Sequence, residues 1–188
     1  RPAINSELML AIIRHQISVS SSPEEGLRLL TLLGHVRTLN MVHRYALESY
    51  GTDAVDFSAF IVHITGDAIA SRRLQYLLTP RYETSSRYIS SELAIPLSII
   101  VNEVLTAVLS LLEVSTGLNQ SNVSLLISFA SGQNGIAFNL FLDDGNHWGM
   151  RDFPPLVFSE SLLPEQLGGS ISINQNEQIN VKILVPNQ

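Results

Sequence analysis

The chain of 188 residues has no cysteine, so disulfides and thiolate metal sites are excluded, a composition that fits a reducing, cytoplasmic setting. It is also poor in charge: Asp, Glu, Lys and Arg make up 15% of residues, where an average soluble domain has about 25%. A surface so short of charge is expected to be partly covered by a partner. Positive charge is scarcest. With 11 Lys and Arg against 17 Asp and Glu the net charge is -6, which leaves no basic stripe for nucleic acid and disfavours acidic membrane surfaces. Long apolar runs are missing too, because Asn102 and Glu103 interrupt the longest candidate before it reaches about 18 residues; no membrane span is expected. The chain starts at Arg1 without an initiator methionine or a signal-peptide pattern, and reads as a piece of a longer or processed protein.

What is present is apolar patterning, at 45% hydrophobic residues, enough for one substantial domain or for a small helical element plus a compact α/β domain. The first third reads as a helical hairpin. Leu8, Ile12, Gln16 and Val19 lie close to one stripe of a first helix, widened by Met9 and Ile13. After a polar gap, Ser22-Pro23-Glu24-Glu25 supplies a Ser cap, a Pro at the first helical position and a Glu three residues after the cap. Leu29, Leu33, Val36, Asn40, His43, Leu47 and Tyr50 then trace one face of a long second helix, with Leu32, Leu39 and Ala46 beside it. That is more apolar surface than one short helix can cover. Two such hairpins usually pair as a four-helix bundle, so a homodimer is expected.

Beyond residue 51, Thr52 to Phe57 reads as a connector into a helix that runs to about Ser71. Leu74 to Thr79 and Arg87 to Ser90 read as short strands. Pro96 suits a first helical turn, and helical spacing continues from there to about Leu112. Val123 to Ala130 and Ile136 to Leu142 read as strands joined by a Gly- and Asn-containing turn, and Ile179, Val181, Ile183 and Val185 alternate as a half-buried last strand. The fold class is α+β, an N-terminal hairpin followed by a two-layer α/β sandwich.

Five histidines are present. His43, on the apolar stripe, reads as a core or interface histidine. His35 and His63 read as helix-surface or boundary residues, and His15 flanks the first helix's stripe. No His or carboxylate spacing makes a metal site. Nor does a catalytic triad, carboxylate pair or P-loop occur.

One segment carries more. Ala94-Ile95-Pro96-Leu97-Ser98-Ile99-Ile100-Val101-Asn102-Glu103-Val104-Leu105-Thr106-Ala107 resembles the N box of sensor histidine kinases of the HWE-related class, and Asn102 and Glu103 match that motif. The resemblance implies a dimerisation and phosphotransfer hairpin over residues 1–51 and a GHKL-type ATPase-like domain over residues 56–188. Ser22 to Glu25 and Val36 to His43 resemble the hairpin's second helix, and Arg1 and Asn5 fit just after the signature of its first. On that alignment the phosphoaccepting histidine precedes Arg1, and His15 is about four turns away from its position.

The same resemblance argues against kinase chemistry. The family's second Asn, which helps hold the magnesium bridging the ATP phosphates, falls on Ala107, and a methyl group cannot coordinate a hard cation. The family's Lys-His falls on Ser110 and Leu111. Its adenine-binding Asp-x-Gly-x-Gly is reduced to Asp143-Asp144-Gly145, with the next glycine delayed to Gly149. Pro154-Pro155-Leu156-Val157-Phe158-Ser159 stands where a glycine box should precede a helix facing the phosphates, and its prolines remove N–H donors. Pro164 is expected to truncate that helix, while Gln166-Leu167-Gly168-Gly169-Ser170 matches the family's exit from it into a strand. The remnants of the nucleotide site are therefore Asn102, Glu103, Asp143, Asp144, Gly145 and Gly149, with no resident cofactor and no metal.

The reading implied is a two-component signalling module that lacks autokinase activity. It would act as a histidine phosphotransferase or as a scaffold for a response-regulator receiver domain, docked around Ile4, Glu7, Leu8, Arg44, Tyr45 and Glu48. The alternatives are an active atypical sensor kinase using ATP and magnesium, and a purely structural dimerisation or regulatory domain.

Overall fold

The computed structural model describes residues 15, 22–47, 54–85, 88–115, 123–143, 145 and 152–187. The first helix of the expected hairpin, apart from an exposed His15, lies outside the described residues. The second helix, α1, spans Pro23–Leu47 and starts at the proline that the capping pattern marks. Then come β1 (Ala54–Asp56), α2 (Phe57–Ser71), β2 (Leu78–Thr84), β3 (Tyr88–Ser90), α3 (Ser91–Ser115), β4 (Val123–Gly132), β5 (Gly135–Asp143), α4 (Val157–Leu167), β6 (Ser170–Gln175) and β7 (Ile179–Val185).

Five strands form one sheet in the order β2-β4-β5-β7-β6, with β2 parallel to β4 and the other pairs antiparallel. Every second residue of β5 and β7, and of β4 from Val123 to Phe129, is buried, so one face of the sheet is covered. Ile127, Leu140 and Val181 line up across three strands on that face. The β4–β5 hairpin closes through Gln133 and Asn134, and Gly135 follows at φ 105, where a side chain would collide with the Val185 carbonyl. The helices fill the covered side. Phe57 stacks on Phe60 at 5.1 Å between ring centroids and meets Phe129 of the sheet at 5.2 Å. Each fully buried ring of this kind contributes roughly 1.5–3 kcal/mol.

Asp56 caps α2, its Oδ1 accepting the Ala59 N–H at 3.0 Å. The stretch read as a connector contains a strand: β1 pairs with β3 in a separate two-stranded sheet, Val55 opposite Ile89. The strand expected at Leu74 to Thr79 is displaced. Residues 74–77 form turns, with Leu77 and Leu78 donating to the Leu74 carbonyl, and pairing with β4 begins only at Leu78. Pro80 is tolerated because β2 is an edge strand. The N-box helix begins at Ser91, five residues before Pro96, and continues to Ser115.

Helix α3 is long and apolar enough to cross a membrane by length and composition, yet 67% of its most apolar stretch is buried inside the fold. Ala94, Leu97, Ile100, Val101, Val104, Leu105, Val108, Leu109 and Leu112 are all fully buried, because α1, α2 and α4 pack around it.

Helix α1 turns a different side to the fold than its apolar stripe implies. Leu33, His35, Val36, Thr38, Met41 and Val42 are buried, while His43 is exposed and Leu32 is 47% exposed. His35, expected at the helix surface or a boundary, is buried, and His43 is outside the core. Helix α1 lies beside α3 at Gly34, where a Cβ would sit at an ordinary contact distance of 3.7 Å from Nδ2 of Asn102.

Candidate functional site

Glu103 lies about midway along α3 and reaches the start of α4. Its Oε1 accepts the Phe158 N–H at 3.0 Å; its Oε2 accepts both the Ser159 N–H and the Ser159 hydroxyl at 2.7 Å. These are charge-assisted bonds to donors that an α-helix leaves unpaired at its N-terminus. They are needed there, because the residue at the cap position is Leu156, whose side chain has no acceptor. The helix dipole favours a negative charge at the same place. The first turn of α4 is in this way an anion site already filled by a carboxylate of the chain itself.

Helix α1 closes the arrangement from the other side. The His35 ring meets the Phe158 ring edge-on at 4.2 Å between centroids. Burial pushes the His35 pKa below its ordinary value of 6.5, and the negative charge of Glu103 opposes that shift. His35 is thereby favoured as the neutral imidazole. Sequence reasoning placed His35 at a helix surface or boundary and had no signal for Ser159 as a partner, which is fully buried and 56 positions from Glu103.

The other motif positions go elsewhere. Ala107 is 5% exposed and belongs to the core, as does Leu111; the Ser110 hydroxyl donates to the Thr106 carbonyl. Asp143 accepts the Gly145 N–H at 3.0 Å through Oδ1 and the Gln178 side-chain amide at 2.9 Å through Oδ2, which ties the end of β5 to the turn before β7. Gly145 has φ 73. Asp144 and Gly149 lie outside the described residues. Helix α4 runs through Pro164 to Leu167, so it is not truncated; Gly168 ends it in a left-handed cap and the Gly169 N–H donates to the Leu163 carbonyl.

Of the positions considered for partner docking, Arg44 is exposed, whereas Tyr45 is half-buried and turned onto α2, its ring edge-on to Phe60 and its hydroxyl 3.2 Å from Nδ1 of His63. Ile4, Glu7, Leu8 and Glu48 lie outside the described residues. No group of three or more His, Asp or Glu placed to hold a metal occurs among the described residues. Two clefts, of about 390 and 670 Å³, open around β4, β5 and the end of β7; Gly168, Gly169 and Ser170 line the larger one, whereas Asn102, Glu103, Asp143 and Gly145 line neither.

Comparison with solved structures identifies the fold. The histidine kinase domain of a blue-light activated histidine kinase from Erythrobacter litoralis matches with a TM-score of 0.66 at 12% identity, over 98% of this chain and 96% of that one. A longer chain of that kinase matches at 0.61 and 15% identity, covering 98% of this chain and 60% of that one. The catalytic domain of histidine kinase ThkA matches at 0.50 and 8% identity, over 71% of this chain and 93% of its own. At such identities the likeness is one of fold. By sequence, neither a protein-family model nor a curated protein matches.

Proposed function

We propose that this protein is a two-component signalling module built on the histidine kinase fold, in which the nucleotide site has been given over to internal packing. It docks a response-regulator receiver domain, either as a histidine phosphotransferase or as a scaffold, and does not phosphorylate itself from ATP. The observation that carries this reading is the Glu103 carboxylate seated on the first turn of α4, with both oxygens engaged by protein donors. A phosphate drawn to that turn would meet a negative charge in the position it needs. Ala107 supports the reading, since a core methyl group offers no oxygen to magnesium.

Residues 1–51 form the dimerisation and docking part and residues 56–188 the ATPase-like part. Leu32, 47% exposed, with half-buried Leu29 and Leu39, gives α1 an apolar flank suited to a hairpin partner and to a second copy. Of the docking positions that are described, Arg44 is exposed and open to a receiver domain, while Tyr45 is half-buried. In a relay, a histidine on the exposed flank of the first helix would attack the receiver's aspartyl phosphate, the protein supplying orientation more than chemistry.

The test is one calorimetric series on the purified chain. Magnesium ATP and magnesium ADP should give no saturable heat up to millimolar concentration, and a phosphorylated receiver domain should give binding that Arg44→Glu weakens. Magnesium-dependent nucleotide binding would replace this reading with that of an atypical active kinase.

A further inference from the structure

The bonds around Glu103 connect three helices through one side chain. Phe158 is the middle link: its N–H is held by Oε1 of Glu103 on α3, and its ring rests against His35 on α1. Ser159, fully buried, fixes the other carboxylate oxygen by two bonds. One residue before Glu103, Asn102 faces the backbone of α1 at Gly34, so α1 approaches α3 closely beside the carboxylate. Without Glu103 the first turn of α4 has no side-chain cap of its own to hold Phe158 in place.

We propose that Glu103 is a latch: by holding the first turn of α4 it fixes Phe158 against His35 and keeps α1 seated on α3, so that releasing the carboxylate loosens α1 as well as α4. The inference rests on the reading that this end of α4 serves packing and not nucleotide, and gives that packing a use. A signal that displaces one carboxylate reaches the helix proposed to carry the docking surface. The groups that face His35 in the latch are Glu103 from α3 and Phe158 from α4.

Amide hydrogen exchange on the full chain, followed residue by residue without nucleotide, tests the latch. In Glu103→Gln, exchange should quicken by about tenfold or more both at residues 158–160 and at residues 33–38 of α1, while β4, β5 and β7 keep their protection. Ser159→Ala, which removes one of three bonds, should give a smaller change in the same two places. Phe158→Leu, which keeps the backbone N–H and loses the ring contact, should quicken α1 and leave residues 158–160 protected; it also serves as the test if Glu103→Gln does not fold. Loss of protection confined to α4 in Glu103→Gln would reduce Glu103 to a local cap and overturn the proposal, as would uniform quickening across the sheet. Because no nucleotide is present, a failed latch leaves the nucleotide reading untouched, and nucleotide binding in the calorimeter leaves the latch to be judged by exchange alone.

Discussion

His35 is a titratable group placed where its charged form is disfavoured. Its folded-state pKa lies below 6.5, through burial first and against the pull of Glu103. The sign of the linkage follows: well above pH 6.5 both folded and unfolded chains hold a neutral imidazole, and stability is unaffected by it. As pH falls below 6.5 the unfolded chain takes up the proton first, so stability is lost progressively until the pH has passed through the folded pKa. Denaturant unfolding followed from pH 7.5 down to about 5 should show this acid loss, and His35→Phe should flatten it. An unchanged slope in the variant would assign the loss to other groups. The burial of His35 has a physical source. The apolar stripe of α1 follows mostly its leucines and Val36, but its buried side also carries His35 and Thr38, and hydropathy alone does not rank these as buried. Asn102 and Glu103 were legible as polar residues needing partners; which partners was not, because Ser159 is close only in space.

Among the elements, those with a strong local signal were readable: α1 from its cap, β4 and β5 from the Gly- and Asn-containing turn that joins them, β7 from alternation, α2 to its last residue. The three-residue strands β1 and β3 were harder. β3 was located, but its partner passed as a connector because three residues carry no period. β2 slipped because Leu74 and Leu77 resemble strand residues while serving a turn. Helix α1 also contains a weakness that a substitution can test. Gly34 sits in its interior, and a methyl group there would meet Asn102 at an ordinary contact distance of 3.7 Å. Gly34→Ala should therefore stabilise the protein by about 0.5–1 kcal/mol through helix propensity, read as a higher denaturation midpoint. A lower midpoint would mean that α1 needs to lie closer to α3 than this contact allows.

At the scale of the whole molecule, α1 and the sandwich share a core. Met41 and Val42 belong to the same buried cluster as Phe57, Leu105, Phe129 and Val181, with Val42 fully buried. The packing runs across the division expected from sequence at residues 51 and 56. Helix α1 and the sheet should accordingly unfold together, in one transition superimposable by far- and near-ultraviolet circular dichroism. Two separated transitions would show that α1 is an independent unit.

Helix α3 has a consequence that begins before the fold exists. It leaves the ribosome ahead of α4, which packs on it, and of β4, β5 and β7, whose residues complete the same core, so for on the order of ten seconds of synthesis the nascent chain displays a segment with the length and apolarity of a membrane span. Glu103 lies near the midpoint of that segment, where a charged side chain costs about 2.5–3.5 kcal/mol on insertion into a bilayer. Before it has any helix to cap, the same carboxylate biases the unfinished protein away from the translocon.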